Sequence, residues 1–304
     1  MDTIQLIKML EPPTGKVDMV LDTDAFNEID DQFAISYALR STDRTDVKAI
    51  YAAPFWNAHS TGPLDGMEKS YDEILKIVKL AGREDITPNV FKGSGEYLKD
   101  EKTPVDSPAM RDLIDRARKY TSDNPLYVVA IGAITNVASA IITAPDIIDK
   151  IVIVWLGGNA LHMNHTREFN MYQDVAAARI IFGCGAPLVQ LPCAGVVDTF
   201  RTTGPELDFW FTGKNPLADY LAKNTIAEAE SYAKGKTWSR VIWDVTAVAF
   251  VCDPGTLASR LIPSPIPEYD DHYASDPSRH FIRYVYQIDR DGLMGRLVER
   301  IAKG

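Results

Sequence analysis

Residues 16–32 read KVDMVLDTDAFNEIDDQ, and no other stretch of the chain limits the possible folds so strongly. The apolar positions Val17, Met19, Val20 and Leu21 predict a short buried strand. Asp22, Asp24, Glu28, Asp30 and Asp31 follow it at once. Carboxylates crowded in this way repel one another unless a cation or strong donors sit among them. The ends of parallel strands are where open α/β sheets place ligands. The stretch therefore predicts a divalent-cation site, Ca²⁺ or Mg²⁺, at the end of the first strand. The structural alternative is that Asp22 makes turn contacts and Asp30 caps the next helix. That alternative accounts for one or two acids of the cluster, since a cap needs a single carboxylate.

The rest of the chain alternates short apolar runs with helical periodicity. Strands are expected over 47–53, 89–92, 126–131, Ile151–Leu156, 187–191 and 282–288, and helices over 31–41, 68–80, 109–120, 176–182 and 292–302. Residues 54–66 and 99–108 read as loops, and the part beyond about residue 199 as mainly helical. This β-α alternation predicts an α/β fold with a mainly parallel, Rossmann-like central sheet flanked by helices. Length (304 residues), the absence of repeats and the lack of a linker point to one domain over 1–304.

A net charge of -10 argues against a broad nucleic-acid footprint or attachment to an anionic membrane. Cys184, Cys193 and Cys252 form no C-x-x-C pair, as expected of core residues in a reducing compartment. No signal-peptide pattern opens the chain and no run reaches membrane-span length, so a cytoplasmic setting is expected.

Four segments, in order, resemble the inosine-uridine-preferring nucleoside hydrolase family, the calcium-dependent N-ribohydrolases. Asp22-Thr23-Asp24 with Asp30-Asp31 is similar to the family's D-x-D-P-G-x-D-D, lengthened by two residues and without its Pro-Gly turn. Gly132 to Ala138, GAITNVA, is similar to G-P-L-T-N-x-A. Gly157-Gly158 followed by Glu168-Phe169-Asn170 and Asp174 matches E-F-N-x-x-x-D-x-x-A-A, and Asp244 to Ala247 matches a late D-x-x-A.

The resemblance implies hydrolysis of the N-glycosidic bond of ribonucleosides, giving base and ribose, by a Ca²⁺-bound water that Asp24 activates. It assigns the metal to Asp24, Asp31, Asp244 and the carbonyl of Thr135, and the sugar hydroxyls to Asp30, Asn57, Glu168 and Asn170. A carboxylate-lined pocket suits the positive charge that develops on the sugar. A small-molecule nucleoside partner and a homo-oligomer, dimer or tetramer, are also implied.

The sequence departs from the family at the leaving-group end. Trp243 stands where the best-known members have a histidine, and PVDSP at 104–108 replaces their H-G-x-x-G segment. Trp243 can stack on the base, and His165 or His162 can supply its proton. His162 and Asn164 are alternative matches to a sugar-binding asparagine. Two other readings use the same residues. A non-catalytic or altered-specificity relative would bind ribosides or calcium without turnover. A haloacid-dehalogenase-type phosphatase would use Asp22-Thr23-Asp24, but it leaves the E-F-N block without a role.

Overall fold

The computed structural model describes residues 1–303. The chain opens with α1 (Thr3–Leu10), β1 (Val17–Thr23), α2 (Asp30–Arg40) and β2 (Thr45–Ala52). Next come α3 (Pro63–Leu80), β3 (Val90–Lys92), α4 (Pro108–Ala117), β4 (Leu126–Ala130), α5 (Thr135–Thr143) and β5 (Ile151–Leu156). The middle holds α6 (Phe169–Gln173), α7 (Val175–Gly183), β6 (Leu188–Leu191), β7 (Arg201–Thr202), α8 (Gly204–Trp210), α9 (Pro216–Ala233), β8 (Arg240–Val241) and α10 (Val245–Cys252). It closes with β9 (Leu257–Pro263), β10 (Ile266–Pro267), β11 (Tyr273–Ala274), β12 (Phe281–Ile288) and α11 (Arg290–Ala302).

Eight strands form one sheet in the order β3-β2-β1-β4-β5-β6-β12-β9. Every neighbouring pair is parallel except β12 with β9. Both faces are covered, so the central strands read as nearly continuous apolar runs. In β4 the alternation of side chains sends Tyr127 and Val129 to one core and Leu126, Val128 and Ala130 to the other. The first core receives α2, α3, α9, α10 and α11; the second receives α4, α5 and α7. A register slip of one residue in β4 would exchange those sets, so packing on two faces fixes the pairing.

Strand order reverses between β1 and β4, the crevice where doubly wound sheets take their ligands. Backbones approach closely there: a Cβ at Gly132 would lie 3.0 Å from the Asp24 carboxyl carbon. Glycine at 132 thus gives Asp24 the room to stand between the two strand ends.

The parallel sheet and its helices follow the expected order, with three differences of detail. Helix α3 begins at Pro63, five residues before the apolar periodicity becomes legible, because proline suits the first turn of a helix. The region beyond 199 is less helical than expected, since it contains β9, which pairs antiparallel to β12. Its residues are mostly half-buried on a sheet edge, which weakens the hydrophobic alternation. The two-residue ladders β7–β8 and β10–β11 are too short to leave a periodic signal. Among the described residues no helix is long and apolar enough to cross a membrane.

Candidate active site

Asp22 is the last residue but one of β1, Asp24 follows the strand, and Asp30 and Asp31 open α2. Asp244 precedes α10 from across the cavity. All five are buried. Turn and cap duties do not account for them. The N-cap position of α2 is Ile29, and neither it nor Asp244 at the N-cap of α10 makes a side-chain cap bond.

Donors reach only part of the cluster. Asn136 Nδ2 donates to Asp22 Oδ1 at 2.8 Å, Thr23 Oγ1 to Asp31 Oδ1 at 2.5 Å, and the Trp243 backbone N–H to Asp30 Oδ2 at 3.1 Å. Both carboxylate oxygens of Asp24 are buried with no partner among the described residues, as is Asp22 Oδ2. Oxygens of Asp30, Asp31 and Asp244 lie within 4.8 Å of one another.

Like charges about 4 Å apart cost each other roughly 4 kcal/mol even at an effective dielectric of 20. Burial, ahead of any charge, pushes Asp22 and Asp30 up to about 7. For Asp30 the next influences are Glu28, which raises it, and Arg240, which lowers it. Asp24, Asp31 and Asp244 are pushed well above the usual carboxylate range, by burial first and then by neighbouring charges, Asp31 and Asp30 on Asp24 and Asp30 foremost on Asp31 and Asp244. A hard divalent cation relieves both causes together, and oxygen-only donors suit it. The partnerless Asp24 oxygens are the specific observation that fits such an ion.

Thr135, at the start of α5, sends its hydroxyl to Asp174 Oδ2 at 2.7 Å. The hydroxyl is committed to Asp174, and the role expected of Thr135 is its carbonyl's. Asp174 also accepts from the backbone N–H of Leu98 at 3.0 Å and Ala177 at 2.9 Å, so this E-F-N-block residue ties α5, α7 and the 93–98 loop together.

A cavity of about 400 Å³ opens beside the acids. Asp30, Asn57, Glu168, Asn170, Trp243 and Asp244, all expected at the site, line it. Glu168 is the N-cap of α6, accepting from the N–H groups of Asn170 at 2.9 Å and Met171 at 3.1 Å and of Gly158 at 2.8 Å. Burial nevertheless pushes it up, with these bonds acting in the opposite direction. Asn170 spends its amide donor on the carbonyls of Ile131, just after β4, and Leu156, the last residue of β5. Asn57 is braced by Asn27: its Nδ2 donates to Asn27 Oδ1 at 2.6 Å.

His162, Asn164 and His165 are exposed and outside the cavity lining. Asn159 lines it instead, its Nδ2 donating to the His165 carbonyl at 3.1 Å and its Oδ1 accepting from Ala194 N–H at 3.2 Å. Sequence reasoning passed over Asn159 because spacing from the E-F-N block directs attention to 162 and 164. Its place just after Gly157-Gly158 was the available signal. Cys193 and Phe169 also line the cavity. Arg240, paired with Glu28 at 2.5 Å, was missed for lack of any local pattern.

The family profile described as inosine-uridine preferring nucleoside hydrolase matches residues 19–275. A pyrimidine-specific ribonucleoside hydrolase of Enterobacter sp. (strain 638) is 26% identical over 94% of this chain and 97% of its own. A probable uridine nucleosidase 2 of Arabidopsis thaliana is 26% identical over 81% of this chain and 78% of its own. Among solved structures, a purine-preferring ribonucleoside hydrolase from Gardnerella vaginalis superposes with a TM-score of 0.77 at 24% identity, covering 94% of this chain and 98% of that one. A plant nucleoside hydrolase gives 0.76 at 21%, covering 96% and 100%. The profile match takes in the acid cluster, the glycine pair, the E-F-N block and Asp244 in a single span, and the chain therefore belongs to the inosine-uridine preferring nucleoside hydrolase family.

Proposed function

We propose that this protein hydrolyses the N-glycosidic bond of ribonucleosides, with Ca²⁺ held by the carboxylates of Asp24, Asp31 and Asp244 and the carbonyl of Thr135. Asp30, close enough to Asp31 and Asp244 to share the ion, is assigned instead to the sugar. The observation that carries the reading is Asp24: a fully buried carboxylate beside a cavity, with both oxygens lacking a protein donor. When bound, the ion supplies Lewis acidity, making a water more acidic and orienting it.

Asp24 then takes the proton of the attacking water, a role worth about 10² to 10⁴ in rate. Asp30, Glu168, Asn170 and Asn57 accept and donate to the sugar hydroxyls and fix the ring against the attack. The carboxylates around the ring favour the positive charge that grows on it. The base lies toward the mouth, where Trp243 stacks on it, with His165, whose Nδ1 lies 3.4 Å from Asn159 Nδ2, as the imidazole available at the rim. The three free thiols support a reducing, cytoplasmic setting. A single domain assembled as a dimer or tetramer completes the reading, and sedimentation checks the last point.

The test is ribose release from purine and pyrimidine nucleosides, with Ca²⁺ and with chelator, for wild type and Asp24→Asn. Calcium-dependent release that Asp24→Asn abolishes supports the reading. Calcium and ribose binding without release from any nucleoside makes the protein a binding relative. Failure to bind calcium, followed by thermal shift, overturns the metal assignment.

A further inference from the structure

Glu28 differs from the other carboxylates of its loop in being hydrogen-bonded to a cation, Arg240, which is also near enough to Asp30 to lower its pKa. Arg240 donates from Nη2 to Glu28 Oε2 at 2.5 Å, and its Nε lies 3.4 Å from Glu228 Oε2. The Arg240 side chain is 14% exposed and that of Glu28 41%, whereas Asp24 and Asp30 are at 0% and 3%. Glu28 and Asp30 both line the cavity, Glu28 at its more exposed side and Asp30 deeper.

Its position is fixed from both ends. Gln32 Nε2 donates to the carbonyls of Ala25 at 2.8 Å and Glu28 at 3.3 Å, and Asn27 N–H closes a turn on the Asp24 carbonyl at 2.7 Å. Arg240 holds the carboxylate itself. Oε1 takes no hydrogen bond from a described residue. A carboxylate paired with a guanidinium is a hydrogen-bond acceptor and not a donor. Trp243, three residues from Arg240, lines the same cavity.

We propose that Glu28 selects the leaving base: held by Arg240, its open oxygen accepts from an amino group or ring N–H of the base. The site then takes aglycones that present such a donor over those that present only acceptors. The inference rests on the reading above that the sugar occupies the floor and the base the mouth. Arg240 is the positioning residue in this arrangement. The two residues inserted into the first loop, relative to the family pattern, give it the length to bring a side chain here.

The experiment uses two ribosides that differ by one amino group, adenosine, whose base offers a donor, against purine riboside, whose base offers only acceptors. It compares kcat/KM for wild type, Glu28→Met, Arg240→Met and Arg240→Lys, and the binding of 9-methyladenine against 9-methylpurine by calorimetry. Wild type is expected to prefer the amino-bearing member by roughly ten- to a hundredfold, the worth of one hydrogen bond to a charged group. Glu28→Met and Arg240→Met bring the ratio toward one, with the loss falling on the amino-bearing member, and Arg240→Lys restores part of it. A wild-type ratio near one, or a ratio that Glu28→Met leaves as it was, overturns the proposal while hydrolysis stands. If no nucleoside releases ribose but 9-methyladenine is preferred to 9-methylpurine and Glu28→Met removes that preference, base selection by Glu28 stands and the hydrolase reading falls. Equal binding of the two bases without any hydrolysis overturns both.

Discussion

The backbone N–H of Trp243 donates to Asp30 Oδ2 at 3.1 Å, so the residue that replaces the family's histidine is bonded to the acid cluster through its main chain. Its indole is therefore free to serve the cavity without holding the cluster together.

Replacing that side chain should separate the two roles. Trp243→Ala keeps the N–H, and calcium affinity should stay within about twofold of wild type. Loss of stacking should lower kcat/KM by roughly ten- to a hundredfold, from about 1–3 kcal/mol per stacked base. Calorimetric calcium titration beside steady-state kinetics checks both. A large loss of calcium affinity would instead make the indole part of the cluster's support.

Removing the metal should make stability depend on pH. Burial raises the folded-state values of Asp22 and Asp30 to about 7, above the unfolded value of 3.8. The folded chain then binds more protons than the unfolded chain between those values, and stability falls as pH rises through that window. Thermal unfolding in chelator should show Tm decreasing from pH 5 to pH 8. Calcium at about a hundred times its Kd should restore about 2.7 kcal/mol. A flat Tm in chelator over this range would mean that another group already neutralises the acids.

Asp24→Asn removes a buried charge that no protein donor meets. At pH 8 in chelator the variant should be at least as stable as wild type, because one repulsive charge has gone. Its stabilisation by calcium should shrink, and ribose release should fall by at least about 10². A variant destabilised in chelator would show that the Asp24 carboxylate has a structural partner after all.

Gly158→Ala tests the support of Glu168. Gly158 has φ +73°, and a Cβ there would lie 2.2 Å from Tyr273 Oη, while its N–H holds Glu168 Oε2. The substitution should cost about 1–3 kcal/mol of stability and raise KM more than it lowers kcat. Adding Tyr273→Phe should recover part of the stability, since it removes the atom in closest conflict. Denaturant unfolding of the single and double variants checks this.

Much of the site can be read along the chain because its residues sit at strand ends, which short apolar runs announce. The Asp22–Asp31 cluster follows such a run directly, Thr135-Asn136 opens the helix after β4, and the E-F-N block stands on the connection that leaves β5. Asn159 and Arg240 could not be read in this way. Asn159 lies next to two exposed loop positions of equally suggestive type, and only burial separates it from them. Arg240 meets Glu28 across 212 residues of chain, and β8, which carries it, is two residues long.

By itself the sequence determined which segments become buried strands and helices, and that several carboxylates must share the first strand's end. Apolar periodicity and like-charge crowding act locally, so they are written into consecutive residues. Tertiary structure alone decided which carboxylates are left without donors and which loop residue faces the cavity. It also decided which acid receives a cation. Each of those depends on the distance between groups far apart in the chain, and hydrogen bonding and Coulomb energy change by kilocalories over an ångström or two.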